Sequence, residues 1–152
     1  MEYGTLQREI HVEASPEIVF EVVSRPEHLK EWWPDDTDIQ PVVGAEGHIV
    51  FRSTEHDDNV VPITVLEVDP PKRFTFRWDY EEGATPEKGN SMLVVVELEP
   101  SGRGTLVRLT ETGFRERGWE AAVLEEVYRD HVSGWDYFMP RLAAYGSRLA
   151  TA

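Results

Sequence analysis

The stretch that most constrains the fold is the run from Trp119 to Leu149, WEAAVLEEVYRDHVSGWDYFMPRLAAYGSRL. Leu124, Tyr128, Val132, Trp135, Met139, Leu142 and Leu149 recur there near multiples of one helical turn, with Phe138 and Tyr145 widening the stripe. Glu126, Asp130, Asp136 and Arg148 fall on the other side, so the spacing predicts one amphipathic helix of roughly 30 residues, about 45 Å long. A helix of that length crosses a small sheet from end to end. Two residues within it predict irregularity. Gly134 permits close approach of a backbone or a ligand, and Pro140 cannot donate to the Asp136 carbonyl, which predicts a kink.

The rest of the chain supplies what that helix would cover. Leu6, Arg8, Ile10 and Val12 alternate with Gln7, Glu9, His11 and Glu13, as in a strand with one buried face. Ser15 and Pro16 form a capped helix start for Ile18, Val19, Val22 and Val23. Arg25-Pro26 ends that helix and opens a second, Pro26 to Trp33, which stops at Trp32-Trp33-Pro34. From Ile39 to Thr112, turn chemistry separates about five strand candidates whose short breaks predict antiparallel neighbours. In the clearest, Phe74, Phe76, Trp78 and Tyr80 share one face and Arg73, Thr75, Arg77 and Asp79 the other. The expectation is an α+β fold in which a curved antiparallel sheet of about six to seven strands wraps the long C-terminal helix, with two short helices after the first strand. The 152 residues are expected to form one domain.

Charge narrows the partners. A net charge of −14, with 29 acids against 15 bases and no basic stripe, argues against nucleic acid and against anionic membrane surfaces. No apolar run is long enough for membrane insertion, and the charged start MEYGTLQREIHVE does not have the form of a secretory signal. With no cysteine, the chain has neither disulfides nor thiolate metal sites, and the expectation is a cytoplasmic protein.

Motifs for bond-making chemistry are sparse. There is no Gly-x-Ser-x-Gly elbow, and Gly102-x-Gly104 reads as a hairpin turn. His11 with Glu13, and Glu55-His56-Asp57-Asp58, lack metal-ligand spacing and read as solvated polar residues. His28 and His131 read as structural or surface histidines and not as catalytic bases. No metal or cofactor is expected.

The order of a strand, a Ser15-Pro16-Glu17 helix start, Pro26-Glu27-His28-Leu29-Lys30-Glu31-Trp32-Trp33, a meander ending Leu109-Thr110-Glu111-Thr112-Gly113-Phe114, and a terminal helix with His131-Val132-Ser133-Gly134-Trp135 resembles the Aha-type heat-shock ATPase-activator homologue family. That family belongs to the START-like, pollen-allergen-like helix-grip superfamily, also called SRPBCC. The resemblance runs from about Glu9 to Leu149. It implies a cavity between sheet and helix for apolar ligands. On that basis Trp32, Trp33, Phe51, Phe76, Trp78, Trp135, Phe138, Met139 and Leu142 are expected around a pocket, with Phe114 gating its mouth. The expected function is a binding protein, monomeric or weakly dimeric, that holds a hydrophobic lipid-like or aromatic small molecule. The alternatives are a cyclase or hydrolase-like enzyme using Arg77, Tyr80 or Glu111, and a stress-response domain in contact with a chaperone.

Overall fold

Alternating apolar residues and short turns produce one antiparallel sheet. In the structure, a computed structural model that describes residues 3–151, the strands are β1 (Thr5–Val12), β2 (Asp36–Thr37), β3 (Glu46–Phe51), β4 (Asn59–Asp69), β5 (Arg73–Trp78), β6 (Met92–Ser101) and β7 (Gly104–Thr112). They lie in the order β1-β7-β6-β5-β4-β3-β2, every pairing antiparallel. Only β1 leaves its sequence neighbours, because α1 (Pro16–Ser24) and α2 (Pro26–Trp32) intervene before β2 and carry the chain across the sheet. The Ser15 side chain caps α1 by accepting from the Ile18 amide, and Pro16 follows as the sequence predicts.

The expected helix forms as α3 (Ala121–Thr151), beginning two residues after Trp119. Its Trp135, Met139 and Leu142 are buried, and Leu124, Tyr128, Val132, Phe138, Tyr145 and Leu149 pack against the same core. Pro140 sits on the exposed side of α3 without ending it, so its missing donor costs one backbone hydrogen bond and not the helix. The close approach lies at Gly146 and not at Gly134. A Cβ on Gly146 would come within 2.8 Å of the Val12 side chain, whereas one on Gly134 would meet nothing within 4 Å. A second tight point is Gly104, where a Cβ would run into the Val12 carbonyl between β1 and β7.

Two face assignments change at the end of β5. Asp79 takes a left-handed backbone, φ 60°, which breaks the alternation after Trp78. The Asp79 carboxylate therefore turns toward α3, and Tyr80 moves to the opposite face of the sheet, where its hydroxyl lies 2.6 Å from that of Thr64. Thr64 pairs with Arg77 on that same outer face, and Arg77 donates to Ser91 at 3.2 Å. Neither Tyr80 nor Arg77 reaches the sheet–helix interior. The two groups offered from the sequence as acid/base candidates are thus outside it, and the third, Glu111, is inside.

Candidate functional site

Glu111 is the organising group. In β7 the alternation of Val107 and Leu109 continues to Glu111, whose register partners are Leu6 and Val94, all three wholly or almost wholly inaccessible to solvent. An ionised carboxylate in such a place is costly unless it is paired and hydrogen-bonded. Three donors meet the requirement. Trp78 Nε1 of β5 donates to Oε2 at 2.8 Å, Trp135 Nε1 of α3 donates to Oε1 at 2.9 Å, and His131 Nδ1, one turn earlier on α3, lies 2.9 Å from Oε1. One carboxylate thereby ties two strands to the helix.

His131 is held as an imidazolium. Burial by itself lowers its pKa, but the carboxylates of Asp79 and Glu111 outweigh that and raise it to about 10. His131 in turn holds the Asp79 carboxyl below the usual range. The two pairings differ in kind. Nδ1 to Glu111 is a charge-assisted hydrogen bond, whereas Nε2 lies 3.7 Å from Asp79 Oδ2, an ion-pair distance too long for a hydrogen bond. Trp78 lies 5.6 Å from the imidazole between ring centroids, and Phe114 packs edge-on at 5.3 Å.

Beside this cluster, open on one side, is a cavity of about 290 Å³. Aromatic side chains from four elements form one wall: Trp33 after α2, Phe51 of β3, Trp78 of β5, and Trp135 and Phe138 of α3. Trp33 is the hub, with ring centroids 5.3 Å from both Trp78 and Trp135. Trp78 and Trp135 both spend their N–H on Glu111, so neither offers a free donor to the cavity they border. The polar edge consists of Asn59, Asp79, Asp130 and His131, with Gly134 leaving space on the helix side.

The ten residues proposed from the sequence divide by location. Trp33, Phe51, Trp78, Trp135 and Phe138 border the cavity. Trp32, Phe76, Met139 and Leu142 lie in a seam between sheet and helices whose free space is about 10 Å³, no more than one water needs, so they pack as core. The Trp32 indole N–H donates to the Val22 carbonyl at 2.9 Å. Phe114 is fully buried against Tyr128 and His131, and the structure does not place it at the mouth. The cavity is also lined by Asn59, Val61, Asp79, Asp130, His131 and Gly134, none of which the sequence places among the pocket residues. Of these, Gly134 had been marked as a place where a ligand can come close, whereas Asp79 was assigned to the wrong face because nothing in the sequence marks its left-handed backbone.

Other polar groups are accounted for locally. His28 Nδ1 lies 2.7 Å from the Tyr145 hydroxyl, and His11 Nδ1 lies 3.3 Å from Glu13, with the His11 and Glu13 side chains both exposed. Among the described residues no group of three or more His, Asp or Glu side chains could hold a metal ion, and no helix is long and apolar enough to cross a membrane.

Comparison with known proteins agrees with this architecture. Residues 13–147 match the family model described as Activator of Hsp90 ATPase homolog 1-like protein. Among solved structures, protein MLL2253 from Mesorhizobium loti superposes with a TM-score of 0.75 at 23% identity, covering 95% of this chain and 97% of that one. The Aha1 dimer from Colwellia psychrerythraea gives 0.66 at 23% identity, covering 91% and 92%. DynU16, a protein of the dynemicin biosynthetic locus, gives 0.70 at 22% identity and covers 93% of this chain but 46% of its own. At these identities the structural matches establish the fold alone. No curated protein sequence matches the chain.

Proposed function

Taking as premise that the chain belongs to the Activator of Hsp90 ATPase homolog 1-like family, we propose that it is a binding protein whose sheet–helix cavity holds a small hydrophobic molecule, aromatic or lipid-like. The wider superfamily contains both ligand-binding and polyketide cyclase-like members, so membership alone does not choose between binding and catalysis. The observation that carries the binding reading is the wall of five aromatic side chains around an open cavity of about 290 Å³, near the lower end of the range for small-molecule sites. Rigid aromatic walls supply contact area with little rotamer entropy to lose. The titratable groups point the same way. A general base works best with a pKa near the operating pH, but His131 is already protonated and the Asp79 carboxyl is held below its ordinary range. The buried charges serve to position the walls.

Gly134 provides the test. Leucine there has open space for its side chain, improves helix propensity by close to 1 kcal/mol, and would project toward the cavity. Binding of the neutral fluorophore N-phenyl-1-naphthylamine, followed by energy transfer from tryptophan, is expected for the native chain and lost in Gly134→Leu, with the thermal midpoint unchanged or raised. Equal binding by both proteins would place the dye elsewhere and remove the cavity from the function.

A further inference from the structure

We propose, building on the binding role above, that the cavity selects neutral planar aromatic ligands bearing a carbonyl oxygen, with His131 Nε2–H donating to that oxygen. The argument begins with an unfinished hydrogen-bond inventory. An imidazolium has two N–H donors. Nδ1 is committed to Glu111 at 2.9 Å, but among the described residues Nε2 has no acceptor at hydrogen-bond distance, only the ion pair with Asp79 at 3.7 Å. Glu111 has no solvent exposure, whereas His131 and Asp79 both border the cavity, so the edge of the ring that carries Nε2 is the one a ligand can reach. A partly buried donor lacking a full partner gains most from an acceptor that arrives with the ligand.

The surroundings define the rest of that ligand. The indole N–H groups of Trp78 and Trp135 are both committed to Glu111, so these two rings border the cavity without a donor that competes with His131. Charge excludes an anion. The cluster holds three carboxylates, Glu111, Asp79 and Asp130, against two cations, His131 and Arg117, which both hold the Asp79 carboxyl down, and Asp79 keeps 44% of its side chain exposed at the cavity. A ligand carboxylate approaching Nε2 would lie against two negative groups in a chain of net charge −14. A ketone or quinone oxygen accepts the same hydrogen bond without that repulsion.

Three shape-matched probes separate the possibilities by titration calorimetry: 2-acetonaphthone, 2-ethylnaphthalene and 2-naphthoate. The ketone is expected to bind about tenfold or more tightly than the hydrocarbon, the worth of a hydrogen bond to a charged donor, and more tightly than the carboxylate. The ketone, but not the hydrocarbon, should also move the His131 Nε2 nitrogen resonance. Equal affinity for ketone and hydrocarbon overturns this proposal and leaves the binding role standing, whereas absence of binding by all three overturns both. Tightest binding by 2-naphthoate overturns the charge argument. Asp79→Asn, on a partly exposed side chain, should strengthen naphthoate binding and keep the preference for ketone over hydrocarbon. An unchanged naphthoate affinity in that variant counts against the assigned repulsion.

Discussion

Glu111→Ala is expected to destabilise the protein by about 3–5 kcal/mol in urea unfolding, the range for removing one partner of a buried ion pair. The residue has no solvent exposure and accepts from Trp78, Trp135 and His131 at 2.8–2.9 Å. Its loss leaves two indole N–H groups and an imidazolium without their acceptor, along with a void. Glu111→Gln keeps one acceptor oxygen, which serves either the Oε1 partners Trp135 and His131 or the Oε2 partner Trp78 but not both indoles, and it removes the counter-charge to His131. It should fall between the native chain and Glu111→Ala. Glu126→Ala, on the exposed side of α3, should stay within about 0.5 kcal/mol of native as an ordinary surface change. A Glu111→Ala cost as small as that of Glu126→Ala would mean that the cluster does not hold the sheet to the helix.

The second large effect is alkaline. His131 has a folded pKa of about 10 against 6.5 for the free side chain, so the folded state keeps its proton over a range where the unfolded state has lost it. The stabilisation from protonation is complete below pH 6.5 and is lost as pH rises through about 10, amounting to a few kcal/mol at a cost of about 1.4 kcal/mol per pH unit. Unfolding free energies measured from pH 6 to 10 should fall across that window. His131→Gln should flatten the decline even though it lowers stability at pH 6, and an equally steep decline in that variant would assign it to other groups. Asp79 contributes with the opposite sign at the acid end. Its carboxyl is lowered by His131, so its contribution is present above the ordinary carboxyl range and disappears as pH falls. With 44% of that side chain exposed, the acid effect is the smaller one.

Both effects run through the pairing of Glu111 with His131, and the position of Glu111 is readable in the sequence while its partners are not. The two-residue period through Val107 and Leu109 points Glu111 inward. A carboxylate there must have donors, but β5 and α3, which supply them, are 33, 20 and 24 residues away at Trp78, His131 and Trp135. Periodicity within one element carries no information about which residues face one another across two. The aromatic set shows the same limit. Its members lie in the core or pack against it, yet Trp33 borders open space while Trp32, its immediate neighbour, lies in a seam without room for a ligand. Both are nearly fully buried, so burial alone does not distinguish a wall from a core.

Patterning by itself determined most secondary elements and the consecutive antiparallel pairing of β3 to β7: the α3 stripe, the capped start of α1, and the turn residues between strands. These follow from interactions within a few residues along the chain. The short β2 and the pairing of β1 with β7 came only with the tertiary structure. The tertiary structure alone decided that Asp79 turns inward on a left-handed backbone, that Tyr80 leaves the interior, and that Glu111 draws two indoles and His131 together beside a cavity. Each depends on the curvature of the sheet and the seating of the helix, which are set by the packing of the whole core.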